Sequence, residues 1–283
     1  MKKLLSIFLA TLLTGSLLAG CGQGSASPSQ TTENKLDQIK ASGKLIMGTS
    51  PDFAPSEFID NTSGKPEYVG SDIDLAKYIA DSLGVELEIK AMEFSAISQA
   101  IQNDVIDIGI AGFAYSDERA ETMGLTDKFN IGTDESFQGL VALKDNAYKY
   151  TSKESFAGKK IVAQNASLQQ DLSLKQLPKD INFQPVSSTS DGIMMVITGK
   201  ADAMAVDSDN ATNLMKNYPD LVLTPFKFDY ESEGNVAGVK KGEEELLNAV
   251  NEIIKDVNEK GLYEKWNKEA TALAEKLGIE MGE

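Results

Sequence analysis

The feature that most constrains the fold of this chain is an alternation of strand and helix signals that runs through it twice. In the first half the patterns predict, in order, a helix at Lys35–Ser42, a strand at Leu45–Met47, a helix from Gly70 to Gly84, a strand at Val85–Ile89, a helix at Ser95–Asn103 and a strand at Val105–Ala111. In the second half they predict a strand at Lys160–Gln164, a helix at Ala166–Leu177, a strand at Ile181–Val186, a helix at Asp191–Thr198, a strand at Ala201–Val206 and a helix around Asn210–Lys216. Such alternation indicates parallel sheets, which bind ligands at the carboxyl ends of their strands. We therefore expect two similar α/β lobes that face each other across a cleft.

The two halves also match locally. The segment from Ile106 to Ile110 parallels the segment from Ala201 to Ala205, because in each a helix ends and an apolar residue followed by Asp enters a strand. Each strand then delivers a small or polar residue at its carboxyl end, Gly112 in one half and Asp207 in the other. We expect these two residues on opposite walls of the cleft.

Composition excludes several kinds of chemistry. The 283 residues are enough to bury a core in one large or two modest domains. The absence of His excludes a Ser-His-Asp or Cys-His site and any imidazole metal site, and a single Cys excludes an intrachain disulfide. The net charge of −16 argues against nucleic acid as a partner. No glycine-rich phosphate loop is present, so we predict no cofactor. Residues 207–210 faintly resemble a calcium loop but lack its turn glycine and its closing acid, so we predict no metal.

The first twenty residues have the layout of a secretory signal. A positive start precedes the apolar run Leu4–Leu18, which is too short to favour a membrane-spanning helix. The run ends in Leu-Ala-Gly-Cys, which resembles a bacterial lipobox, where the Cys thiol is diacylated; the alternative is an ordinary signal peptide with a chance Cys. We predict a lipoprotein signal peptide at 1–20, palmitate-type lipid attachment at Cys21, and a flexible tether at 21–34. The protein would then act on the extracytoplasmic face of a bacterial cell membrane.

One arginine stands among twenty-six lysines, and it is the strongest candidate for binding a carboxylate. Arg119 offers a planar fork that grips a carboxylate with two parallel hydrogen bonds, which Lys does not. The alternative is a surface ion pair with Asp117 or Glu121. Asp207 is the natural counterpart, because an acid at the end of a buried strand needs a cationic partner or several donors. Its alternative is a cap for the following helix.

Four segments, in the right order, resemble the solute-binding proteins of polar amino-acid ABC importers. They are Gly48–Pro55, like the family's first loop; Val69–Ala76, similar to its Gly-Phe/Tyr-Asp-Ile-Asp-Leu-Ala helix start; Ile106–Arg119, which ends in Glu-Arg; and Gly261–Trp266, like its Asp-Gly-Thr-Tyr-Glu-Lys segment. The resemblance spans about residues 45–277. It implies an α/β fold of the type II periplasmic-binding-protein kind, with two lobes of mostly parallel sheet flanked by helices and joined by a two-strand hinge.

The resemblance also implies roles for individual residues. Arg119 would hold the ligand α-carboxylate, Asp207 the α-amino group, and Gly112 would offer its carbonyl to the ammonium. Gln164 and Ser167 lie in a strand-to-helix turn where backbone N–H groups meet the carboxylate. The ligand-binding residues expected are Ser50, Phe53, Phe94, Gly112, Ala114, Arg119, Gln164, Ser167 and Asp207.

Two of these residues are aromatic. Phe53 and Phe94 each follow a strand into a loop. The resemblance implies that Phe53 stacks on the ligand side chain and that Phe94 covers its other side. The residues by themselves leave a second interpretation open, because lone aromatics more often belong to the core.

Departures from the family pattern leave the ligand side chain undetermined. Ala114 stands where the family has Thr or Ser, although its backbone N–H remains, and Ala166 stands where Gly is common. Ser50 lies where some binders of cationic residues have an acid, with Asp52 and Glu57 as nearby candidates for that role. These acids favour an uncharged polar or a cationic amino acid.

We predict a lipid-anchored receptor that captures a free amino acid between two lobes, 35–136 with 230–283 and 137–229, and delivers it to an ABC permease and its ATPase. The two C-terminal helices, Glu243–Asn258 and Leu262–Lys276, would return to the first lobe. The receptor is expected to be a monomer and not an enzyme. The alternatives are an extracellular amino-acid sensor and a dehydratase-like cleft enzyme on the same fold. A neighbouring permease gene would favour transport, and a sensor kinase gene would favour signalling.

Overall fold

The structure, a computed structural model, describes residues 34–130, 136–231 and 234–278. The predicted signal peptide and Cys21 lie outside these residues, as does the predicted tether except for Asn34. The Asn34 side chain accepts a hydrogen bond of 2.9 Å from the Asp37 N–H and caps the first helix. In the described part of the chain, no helix has the length and apolar character needed to cross a membrane.

The elements of the described residues follow one another as short strands and helices. The strands are β1 (Lys44–Thr49), β2 (Phe58–Asp60), β3 (Glu67–Val69), β4 (Glu86–Ala91), β5 (Ile108–Gly109), β6 (Met123–Leu125), β7 (Gln138–Leu143), β8 (Lys160–Gln164), β9 (Asn182–Val186), β10 (Ala203–Asp207), β11 (Leu221–Lys227) and β12 (Gly238–Lys240). The helices are α1 (Lys35–Ser42), α2 (Ser71–Leu83), α3 (Phe94–Gln102), α4 (Asp117–Thr122), α5 (Lys144–Ala147), α6 (Leu168–Gln176), α7 (Thr189–Ile197), α8 (Ser208–Asn217), α9 (Glu244–Glu259) and α10 (Leu262–Leu277), with a 3₁₀ turn at Lys153–Phe156.

Two five-stranded sheets share one strand plan. The first has the order β4-β1-β5-β12-β6 and the second the order β9-β8-β10-β7-β11. In both, the first three strands run parallel and the fourth runs antiparallel to its two neighbours. The antiparallel strand, β12 or β7, is in each case the first strand that the chain forms after it leaves the other sheet. The mixed α/β architecture with mostly parallel sheets agrees with the predicted fold class.

The chain passes between the two sheets twice, after β6 and after β11. The two passing segments pair with each other, because Phe129 and Asn235 exchange two backbone hydrogen bonds of 2.8 Å. The strands of the first sheet come from within the predicted lobe 35–136 with 230–283, and those of the second from within 137–229. The exact lobe boundaries stay a prediction.

The local match between the halves has a physical cause. Asp107 accepts a 2.9 Å hydrogen bond from the Ile46 N–H in β1, and Asp202 accepts one of 2.9 Å from the Lys160 N–H in β8. Each aspartate therefore satisfies a backbone donor of the neighbouring parallel strand, just before its own strand begins. The aspartates tie strands together in the same way in both sheets.

The helices cover the sheets with apolar stripes. In α9 the buried residues Leu246, Val250, Ile254 and Val257 recur every three or four positions and pack on the first sheet, together with α2. The C-terminal helices therefore return to the first sheet, as the sequence predicted. The second sheet is covered on its two faces by separate apolar clusters, one against α6 and one against α7 and α8.

The central strand of the first sheet is shorter than predicted. The sequence indicated a buried strand at Val105–Ala111, whereas β5 comprises two residues and Val105 is 48% exposed. Hydrogen bonds to β1 extend the contact, from Asp107 N–H to the Ile46 carbonyl and from Ile110 N–H to the Gly48 carbonyl. The antiparallel partner β12 is itself only three residues long, which limits the shared ladder.

Candidate functional site

All nine residues predicted to bind a ligand line one cavity between the two sheets. The cavity holds about 630 Å³ of space not filled by protein, part of it open to solvent. The predicted residues in its wall are Ser50, Phe53, Phe94, Gly112, Ala114, Arg119, Gln164, Ser167 and Asp207.

Arg119 lies in the cavity wall without a carboxylate partner among the described residues. The Ser116 hydroxyl caps α4 by accepting a hydrogen bond from the Arg119 N–H, which places the side chain two residues inside the helix. The guanidinium lies 4.7 Å from the centre of the Phe113 ring and 6.0 Å from that of Phe94, and it donates to the Ala114 carbonyl. Burial lowers the pKa of the guanidinium. The ion pairs of the described residues do not include it, so the surface-pair interpretation is not what the structure shows.

Asp207 ends β10 on the opposite wall. One carboxylate oxygen accepts a 2.8 Å hydrogen bond from the Gln138 amide, whose oxygen in turn accepts one from Gln169. The other oxygen accepts a longer one, 3.4 Å, from the Asn210 N–H in the first turn of α8. Asp207 therefore caps the helix, as the alternative interpretation had it, and still lines the cavity. The two roles are compatible, because a carboxylate has about four acceptor positions.

Gly112 follows β5 in a left-handed conformation, with φ of +56°, which an L-residue adopts only at a cost. A Cβ atom at this position would lie 3.0 Å from the Phe53 ring. The absence of a side chain lets the backbone at Gly112 approach the Phe53 ring. The Gly112 N–H donates a 2.8 Å hydrogen bond to the buried Asp72 carboxylate, which holds this part of the cavity wall in place.

Asp52 is the acid that reaches the cavity from the loop after β1. It accepts a 2.8 Å hydrogen bond from the Ser50 hydroxyl and a 3.4 Å one from the Gln164 amide of the second sheet. A backbone N–H at Thr189 also stabilises its charge, but burial dominates and raises the pKa of Asp52. The hydrogen bonds that Asp52 accepts stabilise its carboxylate form and oppose the effect of burial.

Glu57 lines the same cavity and is only 1% exposed. Burial first, and then the adjacent carboxyl of Asp72, raise the pKa of Glu57 well above its ordinary value. Asp72, fully buried at the start of α2, accepts hydrogen bonds from the Gly112 N–H (2.8 Å) and the Tyr263 hydroxyl (2.5 Å). Burial raises the pKa of Asp72 as well. Two carboxyl groups therefore meet beneath the cavity wall.

The turn that carries Gln164 and Ser167 is a helix start. Ser167 caps α6 by accepting a 3.2 Å hydrogen bond from the Gln170 N–H, and its own N–H donates to the Gln164 carbonyl. Between them, Ala166 adopts φ of +61°. The Ser167 N–H is thus engaged within the turn, and its expected contact with a ligand carboxylate stays a prediction. The next two residues, Leu168 and Gln169, also line the cavity at the start of α6.

Polar contacts bridge the cleft at its rim. Lys175 in α6 lies 3.7 Å from Glu118 in α4, and Lys216 in α8 lies 3.0 Å from Glu275 in α10. The Gln164 bond to Asp52 is a third bridge, deeper in the cavity. The two walls therefore face each other closely enough to contact one ligand.

Several cavity residues were not predicted from the sequence. The structure adds Thr189 at the start of α7, Gln169 in α6 and Asn210 in α8. Each lies at the first turn of a helix that follows a strand of the second sheet, which is the rule that pointed to Gln164 and Ser167. Applying it to all three helix starts would have found them. The described residues contain no group of three or more metal-ligating side chains.

Comparisons with known proteins cover almost the whole chain. The family model "Bacterial extracellular solute-binding proteins, family 3" matches residues 45–271. The arginine-binding extracellular protein ArtP of Bacillus subtilis is 27% identical over 273 residues, which are 95% of this chain and 97% of that protein.

Two solved structures superpose closely on this one. The amino-acid ABC transporter substrate-binding protein AbpA of Streptococcus pneumoniae, bound to L-arginine, has a TM-score of 0.78 and 31% identity, covering 86% of this chain and 99% of that one. The ancestral amino acid-binding protein AncCDT-1, a precursor of cyclohexadienyl dehydratase, has a TM-score of 0.72 and 30% identity, covering 83% and 99%.

Proposed function

The chain belongs to the bacterial extracellular solute-binding proteins of family 3, and from this premise we propose that it captures a free cationic amino acid, L-arginine before others, for an ABC importer. The carboxylate end of such a ligand would bind Arg119, and its α-ammonium would bind Asp207. Closure of the two walls around the ligand then makes affinity depend on both at once. The bound amino acid passes to a membrane permease driven by its ATPase.

One observation carries this proposal. Arg119 is a partly buried cation in the cavity wall; Asp171 and Glu118 act on its charge, but no carboxylate of the described residues forms an ion pair with it. Removing a charge from water is costly unless a counter-ion is supplied. A ligand α-carboxylate supplies it, and the fork geometry of guanidinium matches a carboxylate with two hydrogen bonds.

The acids of the cavity support a cationic side chain. With Arg119 assigned to the α-carboxylate and Asp207 to the α-ammonium, Asp52 is left with neutral donors only, Ser50 and Gln164. A guanidinium or ammonium near Asp52 would complete the charge balance of the site. The arginine ligands named for ArtP and for the AbpA structure point in the same direction.

The test compares arginine with citrulline, which has the same shape but an uncharged ureido group. We expect calorimetry to show L-arginine binding more tightly than L-citrulline, by about 1.5–3 kcal/mol, the usual gain from a hydrogen bond to a charged group. In Asp52→Asn this preference should shrink, while binding of citrulline should change little. A thermal-shift screen with the other amino acids accompanies the test, because a ligand that binds only the folded protein raises Tm. No response to any amino acid would refute the proposed function, and equal affinities for arginine and citrulline would refute the cationic side chain.

We propose capture without catalysis. The structural neighbour AncCDT-1 is a precursor of a dehydratase, so the acids of the cavity are the groups that a catalytic alternative would use. The acids that line the cavity are Asp52, Glu57 and Asp207. The Asp52 and Asp207 carboxylates accept hydrogen bonds from neighbouring donors, and Oε2 of Glu57 is buried without a hydrogen-bond partner among the described residues. None of these contacts forms the acid–base pair that such catalysis needs. Recovery of unchanged arginine after prolonged incubation with the protein is the expected result.

Attachment to the membrane through Cys21 completes the proposal. The lipobox-like Leu18–Cys21 and the sole Cys of the chain support it. We propose that the protein is a monomer. We expect Cys21→Ala to move it from the membrane fraction to the medium without a change in affinity for arginine. Continued fractionation with membranes would refute the lipid anchor and leave the binding function untouched.

A further inference from the structure

Gln138 and Asp207 are direct neighbours on two paired strands of the second sheet. Gln138 begins β7, Asp207 ends β10, and the register of this antiparallel pair sets the two residues opposite each other. Residues opposite each other in such a pair project their side chains from the same face of the sheet. Gln138 is 7% exposed and lies outside the described residues that form the wall of the ligand cavity. It borders a neighbouring space, which also touches Asp207.

The orientation of the Gln138 amide follows from the charge of its partner. Its Nε2 donates a 2.8 Å hydrogen bond to Oδ2 of Asp207, and its Oε1 accepts one of 2.8 Å from the Gln169 amide in the first turn of α6. With the amide reversed, its oxygen would face the carboxylate, and two acceptors would oppose each other. Gln138 therefore presents a donor to Asp207, and Gln169 holds that donor in place.

Asp207 is thus held at both of its carboxylate oxygens. Oδ2 accepts from Gln138 of β7, and Oδ1 accepts a hydrogen bond of 3.4 Å from the Asn210 N–H of α8. The last torsion of an aspartate is otherwise broad, so a carboxylate without such donors samples many orientations. Two donors from different elements restrict the plane of this group before a ligand arrives. The cost of ordering it on binding is lower as a result.

Gln138 orients the carboxylate without neutralising it. An amide is an uncharged donor, whereas Lys or Arg at this position would form an ion pair with Asp207 and compete with a ligand cation. The hydrogen bond from Gln138 takes one of the roughly four acceptor positions of a carboxylate. A neutral donor of this kind fixes the direction of the negative charge and preserves the charge for a ligand cation.

We infer that Gln138 is a positioning residue for recognition of the ligand α-amino group, and that it contributes to affinity only through Asp207. The inference rests on the proposed function, in which Asp207 binds the α-ammonium. Gln138 then favours ligands that carry an α-ammonium group over carboxylates that have the same guanidinium side chain and no α-amino group. A residue that only supported the cavity wall would affect both classes of ligand alike.

The test compares L-arginine with 5-guanidinopentanoate, which is the same molecule without the α-amino group. Calorimetry is carried out on the wild type and on Gln138→Met, which keeps the length of the side chain and removes the amide. Loss of a hydrogen bond to a charged group should raise Kd for arginine about tenfold in the variant, whereas Kd for 5-guanidinopentanoate should change less than about twofold. Equal rises for the two ligands, or no rise for arginine, would overturn the inference, while arginine binding by the wild type upholds the proposed function.

Gln176→Met is the matched control. The Gln176 amide, at the last residue of α6, also makes two hydrogen bonds, one of 2.8 Å to the Asp229 carbonyl and one of 2.9 Å from the Asp229 N–H. We expect this variant to keep both Kd values, and a selective rise for arginine here as well would overturn the inference. Tm shows that each variant is folded. Gln138→Asn, which withdraws the amide by one methylene, takes the place of Gln138→Met if that variant does not fold.

A double-variant cycle decides the matter where 5-guanidinopentanoate binds too weakly to measure. In Asp207→Ala no carboxylate remains for Gln138 to orient, so adding Gln138→Met should raise Kd for arginine less than about twofold. A further rise of about tenfold in that background would show that Gln138 acts on the ligand by another route and would overturn the inference.

Discussion

Replacement of Arg119 by Lys tests the centre of the site, because it keeps the positive charge and removes the geometry. The guanidinium is spread over the Phe113 ring at 4.7 Å and donates to the Ala114 carbonyl, so its plane is fixed before a ligand arrives. An ammonium group is a compact point charge on a flexible stem and does not form two parallel bonds to a carboxylate. Weakening a buried charge pair in this way costs about 2–5 kcal/mol. That loss corresponds to an increase in Kd of roughly 30- to 5,000-fold.

The assay is calorimetric titration of Arg119→Lys with L-arginine, with Tm measured beside it to show that the variant is folded. Glu118→Gln is the matched control, since the side chain of this neighbouring residue of α4 is 69% exposed and lies 3.7 Å from Lys175 across the cleft. An exposed pair contributes about 0–1 kcal/mol, so Kd for the control should change by less than about fivefold. An unchanged Kd for a folded Arg119→Lys protein would show that the carboxylate binds elsewhere.

Three further outcomes are expected. Because the pKa of Glu57 is raised in the folded protein, the folded state keeps a proton that the unfolded state loses above pH 4.5. The free energy of unfolding should therefore fall as pH rises from 4.5 to the folded pKa, and Glu57→Gln should lack this contribution. Denaturant titrations that show the same pH dependence for both proteins would contradict the prediction. Ala166→Gly should raise the free energy of unfolding by about 1 kcal/mol, because φ of +61° is strained for Ala. The control Ala272→Gly, on the exposed face of α10, should lower it by a similar amount. A lower free energy of unfolding in both variants would show that the turn is not strained. Lys216→Ala, which removes the exposed pair with Glu275, should raise Kd less than about fivefold and only at low salt, and a larger effect would make the rim contact part of the site.

Much of the site was predictable because it follows one rule of sheet architecture. Gly112 and Asp207 were placed on facing walls from the ends of two buried strands, and both line the cavity. Arg119 was singled out by its rarity and lies in the same wall. The hydrogen-bond partners of these residues were not predictable in the same way. The Ser167 N–H donates within its own turn, and Asp207 both caps α8 and lines the cavity. Such sharing of one group between two tasks depends on distances that no periodicity contains.

The sequence did not reveal the antiparallel strands β7 and β12, the edge strands β6 and β11, or the separate pair β2 and β3. The antiparallel strands β7 and β12 interrupt the strand–helix alternation, and β12 has only three residues. A strand so short carries no alternation of its own, and its position is decided by the partners on either side. From the sequence, Glu57 was a candidate for contact with the ligand side chain. Its contact with Asp72 joins residues from a loop and from a helix start, and only the fold shows that they meet.

The placement of β12 has a consequence for how the chain is made. This strand lies between β5 and β6 in the first sheet, yet residues 238–240 are synthesised after the whole of the second sheet. During synthesis the first sheet therefore stays divided, with the edges of β5 and β6 unpaired, while the uninterrupted stretch from β7 to β11 is already complete. Domains commonly fold from the N-terminus as they emerge. Here that order is reversed: the second sheet, which is made in the middle of the chain, can complete its strand pairing before the first sheet can.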